Sequence, residues 1–129
     1  MEDKNWHKAA GIVRDAGGKI VGRTRLQKTA YLLQLAGFGG GFAFEYRHYG
    51  PYSEDLADAI RIADAFDLVK EEEKRADWGG IYSIFTATEH AGHRNEGPRT
   101  AFAEYVTAID AIELELAATA AYLAVAEKC

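Results

Sequence analysis

Arg23-Thr24-Arg25-Leu26-Gln27-Lys28-Thr29-Ala30-Tyr31-Leu32-Leu33, followed after a glycine run by Phe44-Glu45-Tyr46-Arg47-His48-Tyr49-Gly50-Pro51-Tyr52-Ser53, is the stretch on which the fold turns. Leu26, Ala30 and Leu33 lie on one stripe of a helix that Thr24 can cap and Gly37 ends, while Tyr31, Leu32 and Leu35 widen the stripe. Phe42, Phe44 and Tyr46 alternate with Ala43, Glu45 and Arg47, the period of a half-buried strand. Tyr49-Gly50-Pro51-Tyr52 reads as a turn, because proline fixes its own φ and disfavours helix at the residue before it. Ser53 then caps a third helix, Glu54 to Phe66, with Glu54 and Asp55 in the first turn, where the helix dipole favours negative charge. Its inward stripe is Leu56, Ile60, Ala63 and Phe66.

Working outward, Trp6, Ala9, Ala10, Ile12, Val13 and Ala16 recur at helical spacing and predict a first helix over Asp3 to Ala16, closed by Gly17-Gly18. Ile20-Val21 is expected to be a short extended link. Leu68 to Glu72 and Ile81 to Thr86 read as strands of a hairpin turned by residues 74 to 80. Three helices followed by a hairpin is the order of a winged helix. A short turn or helix is expected around Thr88 to Arg94. Beyond Gly97 a long helix runs from Pro98 to about Lys128, with proline at its first turn. Phe102, Tyr105, Ile109, Ile112, Leu116, Thr119, Leu123 and Ala126 step along it by threes and fours as a coiled-coil-like seam, and Ala111, Leu114, Ala118, Tyr122 and Val125 form a second stripe. One stripe is expected to pack on the domain and the other on a second copy, giving a homodimer; the alternative is a helix that only covers its own core. The fold class is therefore mainly α (α+β): a winged-helix-like domain over residues 1–97 with a small β-hairpin wing, and a long C-terminal helix over 98–129, all within one structural domain.

A chain of 129 residues with 48% apolar content holds one hydrophobic core and has no room for a second domain. No stretch reaches the roughly 20 apolar residues of a membrane span, and Met1 to Asn5 has no signal-peptide core. With Cys129 as its only cysteine, the chain forms no internal disulfide, and a cytoplasmic, reducing setting is expected. The net charge of −5 is unevenly spread. Residues 1–28 carry seven Lys/Arg against three Asp/Glu, whereas residues 29–73 carry three against nine. Such asymmetry steers an oppositely charged partner, or simply marks solvated helix faces.

In a winged helix the third helix enters the DNA major groove. Here it carries Glu54, Asp55, Asp58 and Asp64 against Arg61, and that charge repels phosphate. Arg23, Arg25, Lys28, Arg47, Lys74 and Arg75 are the candidates for a nucleic-acid patch built from the second helix and the wing. For a protein partner the candidates are Gln27, Lys28, Tyr31, Tyr52, Glu54, Asp55, Asp58 and Arg61. Gln27 and Lys28 also have a structural reading, in which they hydrogen-bond the turn after the strand and fix the angle between the second and third helices. His90 and His93 lack a third ligand for a metal. Neither glycine run has the spacing of a phosphate loop, and no nucleophile is set beside a base. No enzyme, metal or cofactor is expected.

Arg25-Leu26-Gln27-Lys28 with Tyr31-Leu32-Leu33, then Tyr49-Gly50-Pro51-Tyr52-Ser53 with Leu56, resembles the Leu-Gln-Lys…Tyr-Leu and Tyr-Gly-Pro signatures of the YwgA-like proteins and, more distantly, of the SocA-like Panacea antitoxin domain. The similarity covers about Val13 to Val69 and carries Leu26, Gln27, Lys28, Tyr31, Tyr49, Gly50 and Pro51 as signature positions. The resemblance implies a small winged-helix-like bacterial or phage protein, often in a toxin–antitoxin or phage-associated setting, whose antitoxin members bind a toxin and sometimes deliver it for proteolysis. Some YwgA-like proteins are described as regulators. The expected role is a non-catalytic module that binds a protein partner, a toxin under the resemblance; the alternative is a dimeric transcriptional regulator that binds DNA.

Overall fold

The computed structural model describes residues 4–39, 41–47, 50–93 and 96–127. His48, Tyr49, Arg94 and Cys129 therefore lie outside the described residues. In chain order the elements are α1 (Asn5–Asp15), β1 (Lys19–Val21), α2 (Arg23–Leu35), β2 (Glu45–Arg47), β3 (Gly50–Tyr52), α3 (Glu54–Ala65), β4 (Val69–Arg75), β5 (Ile81–Ala87), a single turn of 3-10 helix (Glu89–Ala91), α4 (Pro98–Ala108) and α5 (Ala111–Glu127). Helix and strand are mixed in one α+β arrangement.

The first helix ends where its glycines allow. Gly17 and Gly18 take φ of +100° and +90°, and the Gly18 amide donates back to the Val13 carbonyl at 3.0 Å. The third helix starts at Ser53, whose hydroxyl accepts from the Leu56 amide at 3.1 Å. α1 buries Ala9, Ala10, Ile12 and Val13; α2 buries Leu26, Ala30 and Leu33; α3 buries Leu56, Ala59, Ile60 and Ala63. Together with Ile20, Val69 and Phe85 from the strands and Ala103 from α4, these side chains form one core.

Five features depart from the reading of the sequence. Thr24 does not cap α2, which begins at Arg23 with Gly22 as its N-cap. Ile20-Val21 is more than a link: β1 pairs antiparallel with β5, with Ile20 opposite Phe85, so the hairpin grows into a three-stranded sheet ordered β1-β5-β4. Gly50 to Tyr52 is a strand rather than a turn, paired with β2 so that Tyr46 faces Pro51. A two-stranded ribbon leaves one edge of β3 unpaired, and proline, which has no amide hydrogen to donate, is tolerated on such an edge.

Phe66 lies outside the core. It follows the last turn of α3, is 60% exposed, and stacks with Trp6 at 5.6 Å, while Asp67 takes a left-handed φ of +62° to redirect the chain. Finally, the C-terminal segment is two helices. Ile109 is extended and the Asp110 carboxylate accepts from the Ile112 amide at 3.0 Å, which starts α5 afresh. Arg25 donates to the Thr107 and Ile109 carbonyls at 3.0 and 2.6 Å, taking up the acceptors that a continuous helix would have used. The predicted seam is thereby split. Phe102 packs on Phe38 at 5.6 Å and Ile109 sits in the link.

α5 turns the middle of its second stripe inward: Leu114 and Ala118 are buried against the domain, and the Tyr122 ring meets Tyr31 and Tyr46 at 5.9 and 6.0 Å, while Ala111 and Val125 at its ends are exposed. Tyr105, Ile112, Leu116 and Leu123 are exposed.

Candidate protein-binding surface

The quoted motif builds a corner, and glutamines hold it. Gln27 is 5% exposed and donates Nε2–H to the Ser53 carbonyl at 2.9 Å, while its Oε1 accepts from the Ser53 amide at 2.8 Å. Two turns further along α2, on nearly the same face, Gln34 repeats the arrangement on Phe42: Nε2–H to the carbonyl at 2.9 Å, and the amide to Oε1 at 3.2 Å. The segments entering and leaving the β2–β3 ribbon are thus both pegged to one helix, and because Ser53 is the cap of α3, the first peg also sets where α3 begins. Gln34 belongs to no motif in the sequence; its spacing of seven from Gln27 is the signal that points to it.

Lys28 lies one residue along and is 3% exposed. Burial depresses its pKa, with Glu115 opposing part of the shift. A Cβ at Gly50 would stand 3.3 Å from Lys28 Cε and 3.1 Å from Thr119 Oγ1, which is why the motif carries glycine there. Tyr31, 8% exposed, packs its ring on Phe44 at 5.2 Å, and burial raises its hydroxyl pKa. Gln27, Lys28 and Tyr31 are therefore inside the corner, away from the protein surface.

The remaining candidates for a protein partner are outside. Glu54, Asp55, Asp58 and Arg61 lie exposed along α3, and Tyr52 is half-buried beneath the Arg47 guanidinium, whose carbon sits 4.8 Å from the ring centre. Arg47 donates to Glu54 at 2.6 Å and its Nε lies 3.1 Å from Glu45 as an ion pair; Arg61 reaches Asp58 at 3.2 Å. Such exposed pairs contribute little stability. They also leave the face acidic, since Glu45, Glu54, Asp55, Asp58 and Asp64 outnumber Arg47 and Arg61.

The six nucleic-acid candidates do not assemble into one patch. Lys28 is buried and Arg25 caps α4. Arg23 holds Glu71 at 2.9 Å, and that carboxylate also accepts from Ser83 at 2.6 Å. Burial alone would raise the Glu71 pKa, but the Ser83 and Arg23 bonds outweigh it and hold the carboxylate below its ordinary value. Arg47 is held by two glutamates, and Lys74 lies 3.5 Å from Glu72 on the same strand. Lys74 and Arg75 remain exposed on the wing. At the wing's tip the Trp78 ring lies across Gly80 and is 79% exposed, an outward aromatic to which the hairpin pattern assigns no role.

A 73-residue stretch of the chain is 32% identical to the uncharacterized protein YwgA of Bacillus subtilis, covering 56% of this chain and 43% of that protein. The similarity is to YwgA. The chain spans less than half of the relative's length, so the likeness concerns part of each protein. No family model matches the chain, and no solved structure matches it. Among the described residues there is no cluster of three or more His, Cys, Asp or Glu able to hold a metal ion, and no helix is long and apolar enough to cross a membrane.

Proposed function

We propose that this protein is a non-catalytic, winged-helix-like binding module whose outward α3 face docks a basic protein partner, in the manner of an antitoxin or phage-defence adaptor. The observation that carries the reading is the exposed group of carboxylates Glu54, Asp55 and Asp58, with Asp64 further along, on a helix anchored from beneath by Gln27 through Ser53. The winged-helix description is supported by the antiparallel sheet β1-β5-β4, in which a strand lying between α1 and α2 joins the hairpin that follows α3. In that architecture α3 is the element that would read DNA, and a group of carboxylates there opposes a polyanion and favours a cationic polypeptide. A distant kinship with the SocA-like Panacea domains would make the partner a toxin, its basic surface covered in the complex.

The experiment compares wild type with Asp55→Lys/Asp58→Lys and with Lys74→Glu/Arg75→Glu, as bait in the native host and in gel shifts on promoter DNA. The expected result is a defined basic protein that binds wild type in a salt-sensitive manner, is lost with the α3 reversal and is kept with the wing reversal. Specific duplex binding that is abolished by the wing reversal and indifferent to the α3 reversal would replace this reading with that of a DNA-binding regulator.

A further inference from the structure

Away from α3, a cleft of about 720 Å³ opens between α1, the C-terminal half of α2, the 3-10 turn and the start of α4. Its size is that of small-molecule sites, commonly about 300–1,000 Å³. Ile12, Leu33 and Phe42 supply an apolar wall, and Lys8, Arg14 and Arg99 supply the cations. Their organiser is Asp15, 2% exposed at the end of α1. Its carboxylate takes Arg14 Nε at 2.9 Å and Nη2 at 3.2 Å on separate oxygens, and Arg99 Nε at 2.6 Å. Arg14 also donates to the Ala91 carbonyl at 3.0 Å, and Arg99 donates to the Phe38 carbonyl. These bonds use only part of the five donors on each guanidinium; among the described residues the other N–H groups have no partner.

Charge counting gives the ligand. Three fixed cations face one carboxylate, leaving an excess of two positive charges around the cleft. His7 and His90, which also line it, are not counted; His90 lies 3.7 Å from Asp67 and 3.6 Å from Glu89. Asp15 itself is held ionised: burial would raise its pKa, but the bonds and charges of both arginines outweigh that and lower it.

Glycines let the cationic heads sit close to backbone. A Cβ at Gly41 would stand 3.0 Å from Lys8 Nζ, at Gly39 3.2 Å from Arg99 Nη1, and at Gly92 3.1 Å from Arg14 Nη1. A purely structural network tying α1 to α4 needs Asp15 and its arginines, but neither Lys8 nor the open volume.

We propose that this cleft binds a small organic dianion, a phosphate monoester with a flat apolar body, its phosphate between Lys8, Arg14 and Arg99 and its body against Ile12, Leu33 and Phe42. The site is distinct from the α3 face, so either proposal can fail without the other.

Isothermal titration of the full chain with 1-naphthyl phosphate, 1-naphthol and inorganic phosphate tests it. The ester is expected to bind with Kd below about 1 mM, and the two fragments at least about tenfold more weakly. Lys8→Glu removes a cation with no partner among the described residues; it is expected to weaken the ester by about tenfold or more while leaving the thermal midpoint unchanged. Any of three results overturns the proposal: no binding of the ester at millimolar concentration, naphthol binding as tightly as its ester, or a folded Lys8→Glu protein that binds like wild type. Because the fragment comparison uses wild type alone, it decides the matter even if the variant is unstable.

Discussion

Replacing Gln27 by leucine removes both bonds that join α2 to Ser53 while nearly preserving side-chain volume. The Ser53 amide and carbonyl would be left unpaired at a residue that is 0% exposed, in a corner that offers no ready access to water. Each such orphaned group costs about 1–3 kcal/mol, against which the extra apolar burial of leucine returns about 1 kcal/mol. The net expectation is a loss of about 1–5 kcal/mol, a large share of a typical domain stability of roughly 5–15 kcal/mol. Urea unfolding followed by circular dichroism and tryptophan fluorescence reads it as a lower midpoint at unchanged slope. Gln34→Leu should cost less, about 1–2 kcal/mol, because Gln34 is only half-buried and one of its bonds is longer at 3.2 Å. Gln27→Glu keeps an acceptor for the Ser53 amide but points a carboxylate at the Ser53 carbonyl, so its folded-state pKa is raised and the variant should lose less stability near pH 4 than at pH 7. A Gln27→Leu protein within about 1 kcal/mol of wild type, or less affected than Gln34→Leu, would refute the claim that these bonds set the corner.

Lys28→Met keeps the aliphatic stem and removes the charge of a residue that is 3% exposed and whose pKa burial lowers, so urea unfolding at pH 7 should show a gain of about 1–3 kcal/mol. Because the folded-state pKa lies below that of the unfolded chain, wild type sheds the proton first on folding, and its deficit relative to Lys28→Met should shrink as pH rises toward 10.5. Asp15→Asn leaves two arginines without their anion and should cost about 3 kcal/mol at pH 7. The Asp15 pKa is lowered in the fold, so its contribution is complete above the unfolded value and is lost as pH falls through the folded one; the gap to Asp15→Asn should close below pH 3.8. The uncharged outer ridge of α5, with Ile112, Leu116 and Leu123, suits an isologous contact with a second copy: light scattering at micromolar concentration should report a dimer, and Leu116→Glu a monomer.

What the sequence made legible was whatever a local period or cap dictates. The three helices, the Ser53 cap and the β4–β5 hairpin follow from apolar spacing and from single side chains acting within a few residues. β1 could not be read that way. Three residues carry no periodicity, and Lys19 to Val21 is a strand only because β5, more than 60 residues later, offers it a partner. The α4–α5 break was hidden for the same reason, since the apolar spacing runs through Asp110 undisturbed while the residue that takes up the freed carbonyls is Arg25, 84 positions away from Ile109. Asp15 and Arg99, also 84 apart, show no sequence pattern at all, and their cleft had no sequence signal.

The burial of the motif bears on what a shared Leu-Gln-Lys and Tyr-Gly-Pro signature can transmit between proteins. Leu26, Gln27 and Lys28 are each 5% exposed or less, and Gly50 and Pro51 are buried as well. All five serve the architecture, for Leu26 fills the core, Gln27 positions Ser53, Lys28 and Gly50 pack against one another, and Pro51 occupies a ribbon edge. A relative that shares them is held to the same corner and hence to the same placement of α3, but not to the residues on the outer face of α3. The exposed residues of α3 can therefore change without touching the motif, whereas a change in the motif would disturb the corner from which α3 starts. If α3 is the binding element, exchanging its exposed residues Glu54, Asp55, Asp58, Arg61 and Asp64 should transfer partner preference between two proteins of this type while leaving the urea midpoint of each nearly unchanged.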